Sequence, residues 1–230
     1  MNHKSITPGA YLQLCKHYDI LTPSEQEMHA LIEALEGCHK ILIVGIGCGR
    51  ILIALLDYFK KNSISCELHA VEHNPYFVAY CRTLPELAEA HIHEGNFLEF
   101  DESLQFDAVC VPFTTIIIQD FEAQEKWVAK GLRLAKTLVL DLFAEPHITK
   151  EFISQEVKQL GDTTWVMPFW IRPSGWYVTI AKNFKKDIVA KRLFYTFKRV
   201  SYQQPLVWDI PGEGQPYHLL THLVLRISSI

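Results

Sequence analysis

The chain has 230 residues, 49% hydrophobic and 21% charged, which fits one domain with an ample core and excludes wholesale disorder. Its 22 basic and 26 acidic residues leave a formal net charge of −4, which argues against a protein coated in nucleic acid or held electrostatically on a membrane. The longest clean apolar run, Ile51 to Leu56, falls far short of the ~20 residues of a spanning helix.

The opening Met-Asn-His-Lys-Ser is followed by no apolar stretch, so no signal peptide is read. Cysteines stand at 15, 38, 48, 66, 81 and 110 without a Cys-x-x-Cys pair. Several lie inside apolar runs, where Cys acts as a small hydrophobe. A reducing, cytoplasmic location is therefore expected.

Ser24 to Gly37 reads as a helix, with Ser24 as cap, Glu27 completing a capping box and Gly37 as stop. Met28, Leu31, Ile32 and Leu35 form its apolar stripe. From residue 40, strands and helices alternate. Lys40 to Val44 is a continuous apolar run, as in a strand buried on both faces. Arg50 to Lys61 is helical, and Cys66 to Glu72 is a second strand. Asn74-Pro75 opens another helix, with Asn as cap and Pro at the first position. Ala90 to Glu94, Phe106 to Pro112 and Lys136 to Phe143 are strands three to five, with helices near 120–134 and 149–160. This alternation predicts a parallel sheet with helices on both faces.

The pattern then changes. Thr163 to Trp170 and Gly175 to Lys182 are strand-like runs separated by only Ile171-Arg172-Pro173-Ser174, which predicts an antiparallel hairpin. Strand-like segments continue at Arg192 to Ser201 and Thr221 to Ile227, around a Pro- and Gly-rich loop at 211–216.

The segment with most chemical content is Ile41-Leu42-Ile43-Val44-Gly45-Ile46-Gly47-Cys48-Gly49-Arg50. Alternating glycines between a buried strand and a helix permit positive φ and close ligand approach. The helix start points unpaired N–H groups at the loop, which suits an anionic or zwitterionic group. A dinucleotide fingerprint needs a third glycine where Arg50 stands, and a bulky residue there opposes packing beside a pyrophosphate. Glu72, ending the second strand, can accept hydrogen bonds from ribose hydroxyls. After the third strand, Asn96 offers an amide to an adenine edge and Phe97 offers apolar cover.

G-I-G-C-G at 45–49, A-V-E at 70–72, E-G-N-F at 94–97 and F-D-A-V at 106–109, in this order, resemble the successive motifs of class I (Rossmann-like) S-adenosylmethionine-dependent methyltransferases. The resemblance covers about residues 40–182. It implies an α/β fold with a seven-stranded, mostly parallel sheet, helices on both faces, an antiparallel final hairpin and a β-rich C-terminal extension. The expected organisation is an N-terminal helical cap (1–39), an S-adenosylmethionine-binding domain (40–182) and that extension (183–230).

Carried over residue by residue, Gly45, Ile46, Gly47 and Gly49 form the cofactor loop, with Gly45, Ile46 and Gly47 against the methionine part and ribose. Glu72 holds the ribose hydroxyls, His73 lies beside adenine, and Asn96 and Phe97 contact it. The sequence departs from the family at Ile43, where an acidic residue often orients the cofactor's amino group, and at Asn96, where Asp is common. No catalytic residue is assigned, because displacement at a sulfonium methyl relies largely on positioning.

The implied activity is methyl transfer from S-adenosylmethionine to a small-molecule acceptor. The alternatives are a non-catalytic binder of the same cofactor, a nucleic-acid methyltransferase and, disfavoured by Arg50, a nicotinamide-dependent oxidoreductase. The fourth strand ends in Val111-Pro112-Phe113-Thr114 and not the Asn-Pro-Pro-Tyr typical of nucleobase amino-group methyltransferases.

His91 and His93, two apart in one strand, share a face like a metal pair, but no third ligand is placed and no metal is assigned. Cys48 reads as a packing residue, and Asp141 and Glu145 flank the end of the fifth strand without an assigned role. Residues 1–36 are expected to help close the cofactor side. The basic stretch Lys182 to Arg199 reads as an edge strand guarded by lysines, with an anionic acceptor or nucleic acid as the other readings.

Overall fold

The computed structural model describes residues 9–10, 12–13, 23–112, 115–143, 150–160, 163–196 and 220–228. Helix α1 (Glu25–Ala34) starts where the Ser24 hydroxyl accepts the Glu27 N–H at 3.1 Å. Alternating strands and helices follow: β1 (Lys40–Val44), α2 (Arg50–Lys61), β2 (Glu67–Glu72), α3 (Pro75–Arg82), β3 (His91–Glu94), β4 (Phe106–Val111), α4 (Phe121–Leu134) and β5 (Ala135–Phe143). Asn74 caps α3 through the Tyr76 N–H at 3.0 Å, with Pro75 in its first turn, as the sequence predicts.

Beyond β5 come β6 (Phe152–Leu160), β7 (Thr163–Ile171), α5 (Ser174–Asn183), β8 (Asp187–Thr196) and β9 (Leu220–Ser228). The main sheet runs β3-β2-β1-β4-β5-β9-β8. Its first five strands are parallel, and β9 is antiparallel to both β5 and β8. Strands β6 and β7 form a separate antiparallel pair.

Because side chains alternate across a strand, the buried strands feed two cores. Leu42, Val44 and Val71 join Trp127, Val128 and Tyr177 on the α4–α5 face. Ile41, Ile43, Ala70, Ala108 and Cys110 join Leu31, Leu35, Leu52 and Leu55 on the α1–α2 face.

Three sequence expectations are corrected. The helix near 149–160 is strand β6, because it pairs with the aromatic-rich β7 along its whole length; cross-strand pairing overrides local propensity. Gly175 to Lys182 is helical, not a strand. Tyr177, Ile180 and Ala181 are buried at i, i+3, i+4, a spacing that only a helix places on one face. Hence 163–170 and 175–182 form no hairpin: the antiparallel strands of the main sheet are β8 and β9. Residues Phe197 to Ser201, the loop 211–216, and Phe113, Thr114 and Glu145 lie outside the described residues.

Side-chain anchors hold these joints. Arg172 stacks on Trp176, with the guanidinium carbon 3.9 Å from the ring centroid, donates to the Phe121 carbonyl at 2.9 Å and pairs with Glu151 at 2.6 Å; a planar guanidinium can stack and donate at once. Lys186, in the basic stretch, donates Nζ to the carbonyls of Leu132, Ala135 and Lys136 at 3.0, 2.6 and 3.0 Å. It closes the C-terminal end of α4, where a cation is favoured, and is spent on the fold. Strand β8 stands at the sheet edge, as the edge-strand reading expects.

Helix α1 is fixed to the start of α2 by a buried ion pair. Glu27 is 2% exposed and Arg50 9%, measured on their side chains, and the two guanidinium nitrogens of Arg50 meet the two carboxylate oxygens of Glu27. Removing one partner strands a buried charge. Glu27→Ala is therefore expected to lower stability by about 3–5 kcal/mol in urea unfolding, and Glu27→Leu with Arg50→Met to recover most of that loss.

Candidate functional site

The parallel order reverses direction between β1 and β4, since β2 and β3 lie on one side of β1 and β4 and β5 on the other. Ligands of open α/β sheets sit beyond the carboxyl ends of strands at this switch point. The loops that leave β1, β2 and β3 meet there.

The loop after β1 has three glycines with positive φ: Gly45 at 78°, Gly47 at 52° and Gly49 at 85°. Gly45 donates its N–H to the Val71 carbonyl at 2.9 Å. A Cβ on Gly45 would lie 2.4 Å from the Thr115 Cγ2 methyl, so the turn admits no side chain. Gly49 is the N-cap of α2 and brings no side-chain cap. The first N–H groups of α2 are thus turned toward the loop with the positive end of the helix behind them.

Glu72 ends β2 and is 5% exposed. Its Oε2 accepts the Gly47 N–H at 3.1 Å, and its Oε1 accepts the Asn74 N–H at 2.9 Å. His73 Nδ1 stands 3.2 Å from Oε1. Burial pushes the Glu72 carboxyl up, but the His73, Asn74 and Gly47 bonds outweigh it and hold the group below the ordinary carboxylate range. His73 in turn is raised above the ordinary imidazole range by its bond to Glu72, against the effect of burial.

The loop after β3 is tied in through the Gly95 N–H, which donates to the Glu72 carbonyl at 2.9 Å. Asn96 is exposed and uses its side-chain oxygen on the Leu98 N–H at 2.9 Å. The Phe97 ring is 3% exposed and packs edge-on against Trp127, centroids 5.2 Å apart.

Gly45, Gly47, Gly49, Glu72, His73 and Asn96 thus occupy three adjacent loops at one end of the sheet, and Ile46 is a buried residue of the same loop. Phe97 stands in the core behind Asn96. Ile43 is fully buried against the α1–α2 layer. Asp141, on β5, is fully buried and close enough to Cys110 to raise its thiol, after burial. Cys48 is buried. Burial pushes the neighbouring Cys81 thiol up to about 12, and its Sγ donates to the Gly47 carbonyl at 3.4 Å; such a thiol supports the loop and is no nucleophile at neutral pH.

Three contributors escape sequence reasoning. The Asn74 N–H is foreshadowed by the Asn-Pro cap. Thr115 carries no local signal. The Glu27–Arg50 pair joins residues that no motif links.

No protein-family model matches the chain, and no curated protein matches it. Solved structures do. The glycopeptide N-methyltransferase MtfA complexed with S-adenosyl-L-methionine superposes with a TM-score of 0.62 at 14% identity, covering 97% of this chain and 98% of that one. The CcbJ methyltransferase from Streptomyces caelestis gives 0.60 at 16%, covering 94% and 96%. An S-adenosylmethionine-dependent methyltransferase from Clostridium acetobutylicum gives 0.64 at 10%, covering 95% and 98%. The chain has the class I methyltransferase fold.

Two predictions follow from this geometry. An L-residue at the Gly45 dihedral costs about 1–2 kcal/mol, and the added methyl meets Thr115. Gly45→Ala should shift the denaturation midpoint down, and adding Thr115→Ser should restore only the steric part. The Glu72–His73 pair also sets a pH signature. The depressed Glu72 carboxyl stabilises the fold above the ordinary carboxylate pKa, and that contribution fades as pH falls through its lowered value. The raised His73 contributes fully below the ordinary imidazole pKa, and its contribution is lost as pH rises through its own elevated value. NMR titration should find His73 above about 6.5, and Glu72→Gln should bring it down.

Proposed function

We propose that this protein binds S-adenosylmethionine across the β1, β2 and β3 loops and transfers its methyl group to a small-molecule acceptor. The observation that carries this reading is the ionised Glu72 carboxylate, buried at the end of β2 and bonded to the glycine loop. A carboxylate has about four acceptor positions. Gly47 and Asn74 take two, and the third contact, His73, is on an exposed imidazole that can turn away. The donor and acceptor set fits an adenosyl group: Glu72 for the ribose diol, Gly45 and Gly47 for close approach, and His73 and Asn96 beside adenine. Phe97 supports Asn96 from the core. Arg50 is locked to Glu27, so the third fingerprint position carries a bulky ion pair where a dinucleotide site wants glycine.

When bound, the cofactor supplies an activated methyl on a good leaving group. What the chain supplies is orientation, which can account for much of the rate. A base is required only for an acceptor that must lose a proton. The small-molecule reading draws on the fold shared with a glycopeptide N-methyltransferase. The non-catalytic alternative rests on fully buried Ile43 in place of an acid.

Titration calorimetry with S-adenosylmethionine, S-adenosylhomocysteine and NAD should show binding of the first two only. Glu72→Ala should weaken binding by about 1.5–3 kcal/mol, the worth of a charged hydrogen bond, with the secondary structure retained and the Glu72 share of the stability lost. Tight NAD binding without response to the adenosyl compounds would sink the proposal. Release of S-adenosylhomocysteine with amine and hydroxyl acceptors separates the enzyme from the silent binder.

A further inference from the structure

At the opposite end of β2 and β3 lies a second cluster of chemistry-bearing side chains. The parallel register sets His69 on β2 beside His91 on β3, and Val71 beside His93. Alternation therefore puts Glu67, His69, His91 and His93 on one face. His69 is 6% exposed, while Glu67 and His91 are exposed at the first positions of their strands. One ligand atom from each of Glu67, His69 and His91 lies within 4.8 Å of the others.

We propose that Glu67, His69 and His91 form a binding site for a divalent transition-metal ion, of which zinc is the type, that staples the edge strand β3 to β2. The sequence alone suggests His91 with His93; the fold pairs His91 with His69 and gives His93 another task.

The hydrogen bonds explain the division of labour. His69 Nε2 faces Glu67 Oε1 at 2.6 Å, and His69 Nδ1 faces His93 Nε2 at 3.0 Å. A carboxylate oxygen only accepts, so a proton on Nε2 separates it from the ring. The ion takes that proton's place between Nε2 and the carboxylate. The His69 proton moves to Nδ1 and is donated to His93 Nε2, whose own proton shifts to the other ring nitrogen. A ligand histidine whose far nitrogen is fixed by a second residue is the usual arrangement at metal centres.

The rings are already aligned, with His69 stacked on His91 at 4.6 Å between centroids and nearly coplanar with His93, its in-plane hydrogen-bond partner, at 5.3 Å. Phe106 and Phe100 close the buried side edge-on, 5.2 Å from His69 and from His93 respectively. Zinc with bonds near 2.0–2.2 Å sets its ligand atoms about 3.4 Å apart, so Glu67 opens from its 2.6 Å contact with His69 to admit the ion and His91 closes on it; both are exposed and can move while His69 stays fixed. Lys40 Nζ, 3.4 Å from Glu67 Oε1, is the cation displaced. An open groove of about 400 Å³, lined by Arg82, His91 and His93 among others, borders the cluster on its β3 side. Three protein ligands leave a fourth position for water.

At about 3.3 Å per residue of strand, this site lies ~10 Å (His69) to ~16 Å (Glu67) from Glu72 along β2. Its role is to hold β3, a four-residue strand that leads into the Asn96 turn, and it stands whether or not the protein is a methyltransferase.

The test uses the full chain stripped of metal, with Zn²⁺ as probe and Co²⁺ as its spectroscopic substitute. One Zn²⁺ per chain should bind and raise Tm, and Co²⁺ should give a visible band of nitrogen and oxygen ligation without a thiolate charge-transfer band. Glu67→Gln and His91→Ala, both at exposed positions, should abolish the Tm rise. His93→Gln should weaken Zn²⁺ binding about 10- to 100-fold, as expected for loss of a supporting partner, and His29→Ala, at an exposed position of α1 outside the cluster, should change nothing. No stoichiometric Zn²⁺ binding, unchanged binding in His91→Ala, or a thiolate band would each overturn the assignment.

Discussion

The arrangement of the site depends on one buried carboxylate. Glu72 joins the glycine loop to the turn before α3 by accepting one backbone N–H from each. A buried charge without partners would cost several kcal/mol or shed its ionisation. Here the Gly47 and Asn74 N–H groups and His73 keep it ionised, and the carboxylate in return fixes the loops at their working distance. The Gly95 bond to the Glu72 carbonyl brings the β3 loop to the same residue. Three strand ends are thereby organised around one side chain and its own backbone.

Behind this front, the fold resists displacement of the loop. Gly45 is pinned between the Val71 carbonyl and the Thr115 methyl, and Arg50 is held by Glu27. The ion pair makes α1 part of the loop's foundation, because α2 begins at Arg50. A buried pair gives little net stability against an apolar replacement, yet breaking it is costly; what it supplies here is a fixed start for α2.

Much of this was legible in the sequence, for identifiable reasons. Strands β1, β2, β4 and β5 announce themselves because they are buried on both faces and carry apolar runs, while the part-exposed β3 is legible only from its place in the alternation. The glycine loop and Glu72 are legible because positive φ and a strand-end carboxylate need particular residue types. After β5 the signals fail. The Tyr177, Ile180 and Ala181 periodicity of α5 is masked by β-branched neighbours, and β6 is a strand only because β7 lies beside it. The Glu27–Arg50 pair and the Glu67–His69–His91 cluster escape for a related reason. Both join residues more than twenty positions apart, through packing and strand register that no local pattern encodes.

The central claim is that Glu72 receives the ribose diol of an adenosyl cofactor. Calorimetry of the wild type and Glu72→Ala with S-adenosylhomocysteine and its 2′-deoxy analogue tests it as a cycle. The account predicts that the wild type binds the deoxy analogue at least about tenfold more weakly, a difference of ~1.4 kcal/mol, and that Glu72→Ala binds the two alike. Equal affinity of the wild type for both compounds, or a preference that survives in Glu72→Ala, would contradict it.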